Sequence, residues 1–429
     1  MFVLHAVFLG QHRFVINYSD DEPLSRLHLF AGLFTFCLVP LWLAARAAAR
    51  IPPVTSLSII MVVFGAVSLA AILTGPTRSQ DLNLNLLLAK GFTAYGMNPY
   101  QTAPLMLQKD PWSPPSLSWS GQPMTHGPVW VLLLASITAC TYSLRMAFVL
   151  VKLTALVALA AGGIFLWKIM ALQGRAVGDR AGVLAILAWN PFVLQTALVD
   201  AHNDVLILVA ILASYLCFLT RRYRLSIMAL MLGGFVKFAL WPLMLVPVAY
   251  LVKERGMHRG AVCAAVLLLS GAVFASALYA PFGLSAKNFA GLTEEVMERG
   301  WTSFYWPGTA LLGSLPWMGI VQIRVAGLLM GLLVLGMCIR WDRPLLGYTL
   351  PYAVMLFFGS PSFHPWYGLW VAPLASLLIA PAALLILSVP LIVDELAPRW
   401  ALWIVTFGLL AIFGVTRLVR SRRPASAGG

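Results

Sequence analysis

The chain of 429 residues is 60% hydrophobic and only 10% charged, and it carries a formal net charge of +14. A water-soluble domain with that balance would expose large apolar patches, so the composition excludes soluble enzymes and soluble binding modules and makes lipid the solvent. The positive charge does not point to nucleic acid, because Lys and Arg form no single basic patch interleaved with aromatics.

In chain order, residues 1–27 lack the charged n-region and cleavage pattern of a removed signal peptide. Runs 54–74, 181–199, 261–280, 320–338 and 400–418 have the length a helix needs to cross a hydrocarbon core. Their continuous apolarity excludes the alternating strands of a transmembrane barrel. Basic residues cluster at the ends of these runs: Arg46 and Arg50, then Lys168, Arg175 and Arg180, then Arg221, Arg222 and Arg224, then Lys253, Arg255 and Arg259, then Arg340 and Arg343, and finally residues 417–423. Short loops rich in Lys and Arg stay in the cytoplasm. The pattern therefore places segments 75–145, 200–204, 282–319 and 359–365 on the extracytoplasmic side. It predicts one all-α domain over residues 1–429, a polytopic bundle of about thirteen crossings in the cytoplasmic membrane. Its amino terminus lies outside, and residues 421–429 form a disordered cytoplasmic tail.

Three runs need a break to fit that topology. Segment 127–140 is short and reads as a half-buried helix returning to the outer surface, leaving Arg145 outside. Segment 225–251 begins and ends at basic clusters, so it is expected to form two short helices meeting near Lys237. Segment 366–393 has the same problem, with Pro381 as the break. Cys37, Cys140, Cys217, Cys263 and Cys338 all lie in apolar stretches without paired spacing, which indicates neither a disulfide framework nor a metal ribbon.

Charge in lipid is expensive, so the place of each acidic residue is informative. Asp81, Asp110, Asp200 and Asp204 all fall on the extracytoplasmic side of this topology. The first outer loop, about fifty residues long, exceeds what a connection requires and is expected to carry juxtamembrane helices. Asp81 opens it just after a crossing, where a general base can meet both a membrane-anchored and a soluble substrate; the alternative is a helix N-cap. The loop continues through Asn98, Pro99 and Tyr100 to a stretch rich in Trp and Pro that ends at His126, Gly127 and Pro128.

Further along, Asn190 and Pro191 precede Asp200, His202 and Asp204, which suit sugar hydroxyls or alternatively form a solvated turn; they are too few to indicate zinc. Lys237, alone in apolar sequence, needs an anionic partner or a route to water by snorkelling. His364 can donate to a phosphate or sugar oxygen, beside Trp366 and Tyr367 at an outer boundary. Trp112, Trp119, Trp301 and Trp306 either stack on sugars or sit at headgroup level.

In this order and over nearly the whole chain, these pieces resemble the GT-C superfamily of membrane glycosyltransferases. The closest likeness is to its bacterial polyprenyl-phosphate-mannose-dependent mannosyltransferases. The carriers are Asp81, the Gly96-Met97-Asn98-Pro99-Tyr100 segment, Gly127-Pro128-Val129-Trp130, Asn190-Pro191 with His202 to Asp204, Lys237 in a broken helix pair, and His364 to Tyr367. The chain departs from the pattern at Leu82 to Asn85, where a Tyr or Arg is common, and at Gln195, where an acidic residue is common.

The resemblance implies an inverting glycosyltransferase that moves a sugar, mannose by the closest likeness, from a polyprenyl-phosphate donor to a glycan or glycolipid acceptor at the outer membrane face. Asp81 would be the general base. Lys237, Arg145 and His364 would bind the donor phosphate, and Asn98, Tyr100, His126, Asp200, His202, Asp204, Trp366 and Tyr367 would contact sugar or acceptor. No metal ligand is assigned; members differ on a divalent ion. The rivals are a transporter or lipid flippase, which would place its charges near the bilayer midplane, and a noncatalytic partner in envelope assembly.

Overall fold

The computed structural model describes residues 40–76, 79–114, 121–293, 320–359 and 367–379. The structure is 80% helical, with no strand among the described residues. Helix α1 (40–48) precedes α2 (Pro53–Leu73), α3 (Asp81–Tyr95), α4 (Pro128–Cys140) and α5 (Leu144–Leu172). Next come α6 (Val177–Trp189), α7 (Asp204–Leu219), α8 (Tyr223–Gly234), α9 (Leu245–Arg255) and α10 (Met257–Tyr279), and then α11 (Ile320–Arg340), α12 (Pro344–Gly359) and α13 (Gly368–Ile379).

The helices pack as membrane helices do, through small residues and buried hydroxyls. Gly178 and Gly182 lie on one face of α6, one turn apart; a Cβ on Gly178 would run into the carbonyl of Ala49, just after α1 (2.3 Å), and one on Gly182 into that of Ala45 within α1 (2.9 Å). The backbones can approach that closely only because both positions lack side chains. Helix α7 is the hub, packed against α5, α8 and α13. Ser214 on this helix shares hydrogen bonds of 2.7 Å with Ser226 of α8 and 3.0 Å with Tyr348 of α12. At the other extreme, the most apolar window of α10 is only 6% buried, as a helix facing lipid would be.

Three described helices are long and apolar enough to cross a membrane: Pro53–Leu73, Leu144–Leu172 and Met257–Phe282. A fourth span exists if the bent pair Val177–Trp189 and Pro191–Val199 counts as one. The sequence expectation of about thirteen crossings also drew on runs outside the described residues, 400–418 and the break at Pro381 among them. One difference has a physical cause. The run 181–199 is not a straight crossing but bends by 47°, because Asn190 turns the chain and Pro191 cannot donate to the preceding turn. The 13 residues of α4 reach only about 20 Å, short of a bilayer core. That length fits the half-buried helix expected from segment 127–140.

Candidate active site

The site is assembled where the chain fails to be regular. After α6, the Asn190 side chain accepts from the Phe192 N–H (2.9 Å) and starts a turn of helix that widens into a π-helix over Gln195–Val199. The Asp200 and His202 amides donate back to Gln195 O (2.9 Å) and Thr196 O (3.0 Å). Ala201 stands between them at a positive φ of 49°, a conformation costing an L-residue about 1–2 kcal/mol. The turn that reverses the chain into α7 is thus held by its own backbone. It is not solvated, as one sequence alternative had it: Asp200 is 4% exposed, His202 8% and Asp204 fully buried. Within it, the Gln195 amide donates to Asp200 (2.9 Å). An acidic residue at position 195 would instead face Asp200 as a like charge.

Asp204 opens α7, and its carboxylate gathers three groups. One oxygen accepts from Trp370 Nε1 at 2.7 Å and from the Lys237 ammonium at 3.3 Å; the other lies 4.0 Å from His202 Nδ1. Lys237 is placed by the expected break: α8 ends at Gly234, and a 3-10 turn begins at Phe238. Its ammonium lies 4.3 Å from the Tyr367 ring centre and 5.0 Å from that of Trp370, two rings stacked at 4.4 Å. Contacts of this kind attract the ammonium to the ring faces, and the Lys237 side chain keeps 17% of its surface exposed.

The end of the loop between α3 and α4 docks onto this break. Gly127 N–H donates to Val236 O (2.9 Å), and Val129 N–H donates to Phe235 O (3.0 Å). A Cβ at position 127 would lie 2.1 Å from the Phe235 oxygen, so glycine is required. This docking sets His126 before Lys237 and His202. Burial, reinforced by those two neighbours, pushes the His126 imidazole down to about 3, which keeps it neutral. Its Nδ1 is sealed and has no hydrogen-bond partner among the described residues.

Asp81 approaches from the other side. It is the first residue of α3, and Gln80 occupies the N-cap position, so the cap alternative does not describe its carboxylate. One Asp81 oxygen lies 3.8 Å from His202 Nδ1, and the side chain is 35% exposed. His202 therefore stands between two carboxylates, one accessible and one buried. Asp81, His202, Asp204 and Lys237 form a continuous polar path through apolar helices.

The other expected site residues are placed as follows. Asn98 donates to Phe282 O (2.7 Å) and to Asn288 Oδ1 (3.0 Å), tying the first loop to segment 282–289. Tyr100 is 1% exposed, with its ring against Tyr279 (5.4 Å) and Phe282 (5.2 Å). Arg145 lies on the exposed first turn of α5. His364, Trp366, Trp119, Trp301 and Trp306 fall outside the described residues. Trp112 is buried, with Lys90 4.8 Å from its ring centre. Asp110 belongs to the same cluster. Burial works to raise its carboxyl, but hydrogen bonds from Lys90 (2.8 Å), Tyr95 (2.6 Å) and Trp112 N–H (2.7 Å) hold it below the usual range.

Two residues escaped the sequence reading. Trp370 follows Tyr367 by one helical turn, a spacing that could have paired their rings. Lys152 lies alone within the apolar run of α5 and is fully buried, so Lys237 is not the only lysine of that kind. Among the described residues, no three His, Cys, Asp or Glu side chains are disposed to hold a metal ion.

A helical membrane protein with an accessible carboxylate, two histidines and a half-wet lysine at one buried junction has the parts of an enzyme that moves a proton and steadies an anion. The chain belongs to the alpha-(1→6)-mannopyranosyltransferase family: the model of that family's N-terminal domain matches residues 6–254, a stretch that contains Asp81, His126, His202, Asp204 and Lys237. It is a mannosyltransferase of GT-C type, and the transporter and noncatalytic alternatives give way to an enzyme of glycosyl transfer. Its partners are accordingly a sugar donor and a glycan acceptor. No curated protein matches the chain.

Proposed function

We propose that the protein transfers mannose, with inversion, from a polyprenyl-phosphate donor to a glycan or glycolipid acceptor at the outer face of the cytoplasmic membrane. The observation that carries this reading is the path from Asp81 to Lys237. A carboxylate 35% exposed and an ammonium 17% exposed stand at the two ends of one buried network. Asp81 takes the proton of the acceptor hydroxyl as the acceptor oxygen bonds to the anomeric carbon. The bond from that carbon to the donor's phosphate oxygen breaks, and the lipid phosphate leaves with the electron pair. Its growing charge is met by Lys237, with His364 and Arg145 as further phosphate contacts. Such a donor carries its own leaving group, so no nucleotide-binding loop is required.

His126, kept neutral, is suited to a sugar hydroxyl rather than to the phosphate. Asp204 and His202 orient Lys237 and Asp81 from the buried side. Asn98, Tyr100, Asp200, Trp366 and Tyr367 complete the surroundings of sugar and acceptor. An α-(1→6) product, the linkage in the family's name, combined with inversion requires a β-linked mannosyl donor. The donor class and stereochemistry are tested together with purified protein in nanodiscs, labelled polyprenyl-phosphate-mannose and a panel of mannosyl acceptors. Transfer with an α-anomeric product from a β-donor is the expected result. Transfer from nucleotide-mannose alone would refute the donor, and a product retaining the donor's anomeric configuration would refute the inversion.

A further inference from the structure

Lys152 lies inside a membrane-spanning helix and is fully buried. An ammonium in that position has no water to return to, so something must repay its desolvation. Two partners are backbone carbonyls at the end of α2: Lys152 donates to Ala71 O (3.1 Å) and to Thr74 O. These are the carbonyls a helix leaves unpaired at its C-terminus, where its dipole is negative. Beyond these two bonds, the Asp200 carboxylate lies within electrostatic range of the ammonium. The backbone agrees, because both α2 and α5 pack against the π-helix that leads into Asp200.

The two flanks of Lys152 are the two halves of the site. Beyond Thr74, the chain reaches Asp81, the first residue of α3. Beyond Asp200 come His202 and Asp204, in a turn to which Asp200 is tied through Gln195. A residue that only capped α2 would not also need to stand on a helix packed against the π-helix that leads into the 200–204 turn. We propose that Lys152 is a positioning residue for the transfer: it locks the end of α2 to the 200–204 turn, so that Asp81 meets His202. The proposal rests on Asp81 being the working carboxylate.

The test compares wild type, Lys152→Met and Lys152→Arg as full chains in nanodiscs, by amide hydrogen exchange and by mannosyl transfer. Lys152→Met should raise exchange about tenfold or more in residues 70–84 and also in 195–204. It should lower kcat about tenfold or more while the donor KM stays within about twofold, because small misplacements of reacting groups are costly in rate. Lys152→Arg should recover most of the turnover. Faster exchange confined to residues 70–76 would overturn the lock, and unchanged turnover with both segments loosened would overturn its role in the reaction. If Lys152→Met does not fold, Lys152→Met/Asp200→Asn removes both charges. Measured against wild type, it should show the same two-segment loosening, and its absence refutes the proposal. Wild-type transfer by Asp81→Asn would defeat the Asp81 reading instead, leaving the exchange pattern as a separate result.

Discussion

The ammonium of Lys237 and the carboxylate of Asp204 stand 3.3 Å apart, one partly wet and the other fully buried. Removing one partner of such a pair strands the other, at a cost of about 3–5 kcal/mol, whereas removing both is often tolerated. Lys237→Met should therefore be destabilised by roughly that amount and inactive. Lys237→Met/Asp204→Asn should regain most of the stability and none of the activity, because the phosphate has lost its cation. Thermal unfolding in nanodiscs, alongside a transfer assay, checks both; a double variant no more stable than the single one would show that the pair is not the source of the loss.

His126 makes stability depend on pH in a definite direction. Its folded value, near 3, lies below the ordinary 6.5, so the unfolded chain binds a proton that the folded chain refuses. Stability is complete above about pH 6.5 and falls toward pH 3, by up to about 1.4 kcal/mol per pH unit for this one group. His126→Gln should show a shallower decline between pH 6 and 4 than wild type. Parallel curves for the two proteins would mean that the imidazole titrates freely and does not sit in the sealed site.

Gly127 tests how the loop between α3 and α4 is docked. With a Cβ 2.1 Å from Phe235 O, Gly127→Ala must push the loop off the helix break. The expected cost is about 1–3 kcal/mol of overpacking, together with a fall in kcat as His126 and Lys237 separate. Gly121→Ala, in the same loop but with open space around its Cβ, should leave stability and turnover unchanged. Equal behaviour of the two variants would remove the docking from the account.

Much of the site was legible because its residues break rules. An Asp after a crossing, a Lys in a broken apolar run and a His between carboxylates each violate the economy of a membrane chain, and three of these residues, Asp81, His202 and Lys237, converge. The break itself was visible in the basic clusters at both ends of segment 225–251. Burial was less legible. Asp200 to Asp204 read more readily as a solvated turn, because a dense polar run carries no mark of the π-helix and positive φ that fold it inward. Lys152 was overlooked because a single cation between Arg145 and Lys168, at the two ends of an apolar helix of 29 residues, hardly alters the pattern. Trp112 looked like a surface aromatic, and only the tertiary contact with Lys90 makes it core. Hydropathy also shows that a run is apolar but not whether it bends, as 181–199 does at Asn190 and Pro191.

The most direct measurement of the central claim is transfer by Asp81→Asn in nanodiscs from labelled polyprenyl-phosphate-mannose, with donor binding and thermal unfolding measured on the same preparation. The account predicts a folded protein that binds donor within about twofold of wild type and transfers mannose about 10²- to 10⁴-fold more slowly, the usual worth of a positioned base. A folded Asp81→Asn variant that transfers at the wild-type rate would contradict it.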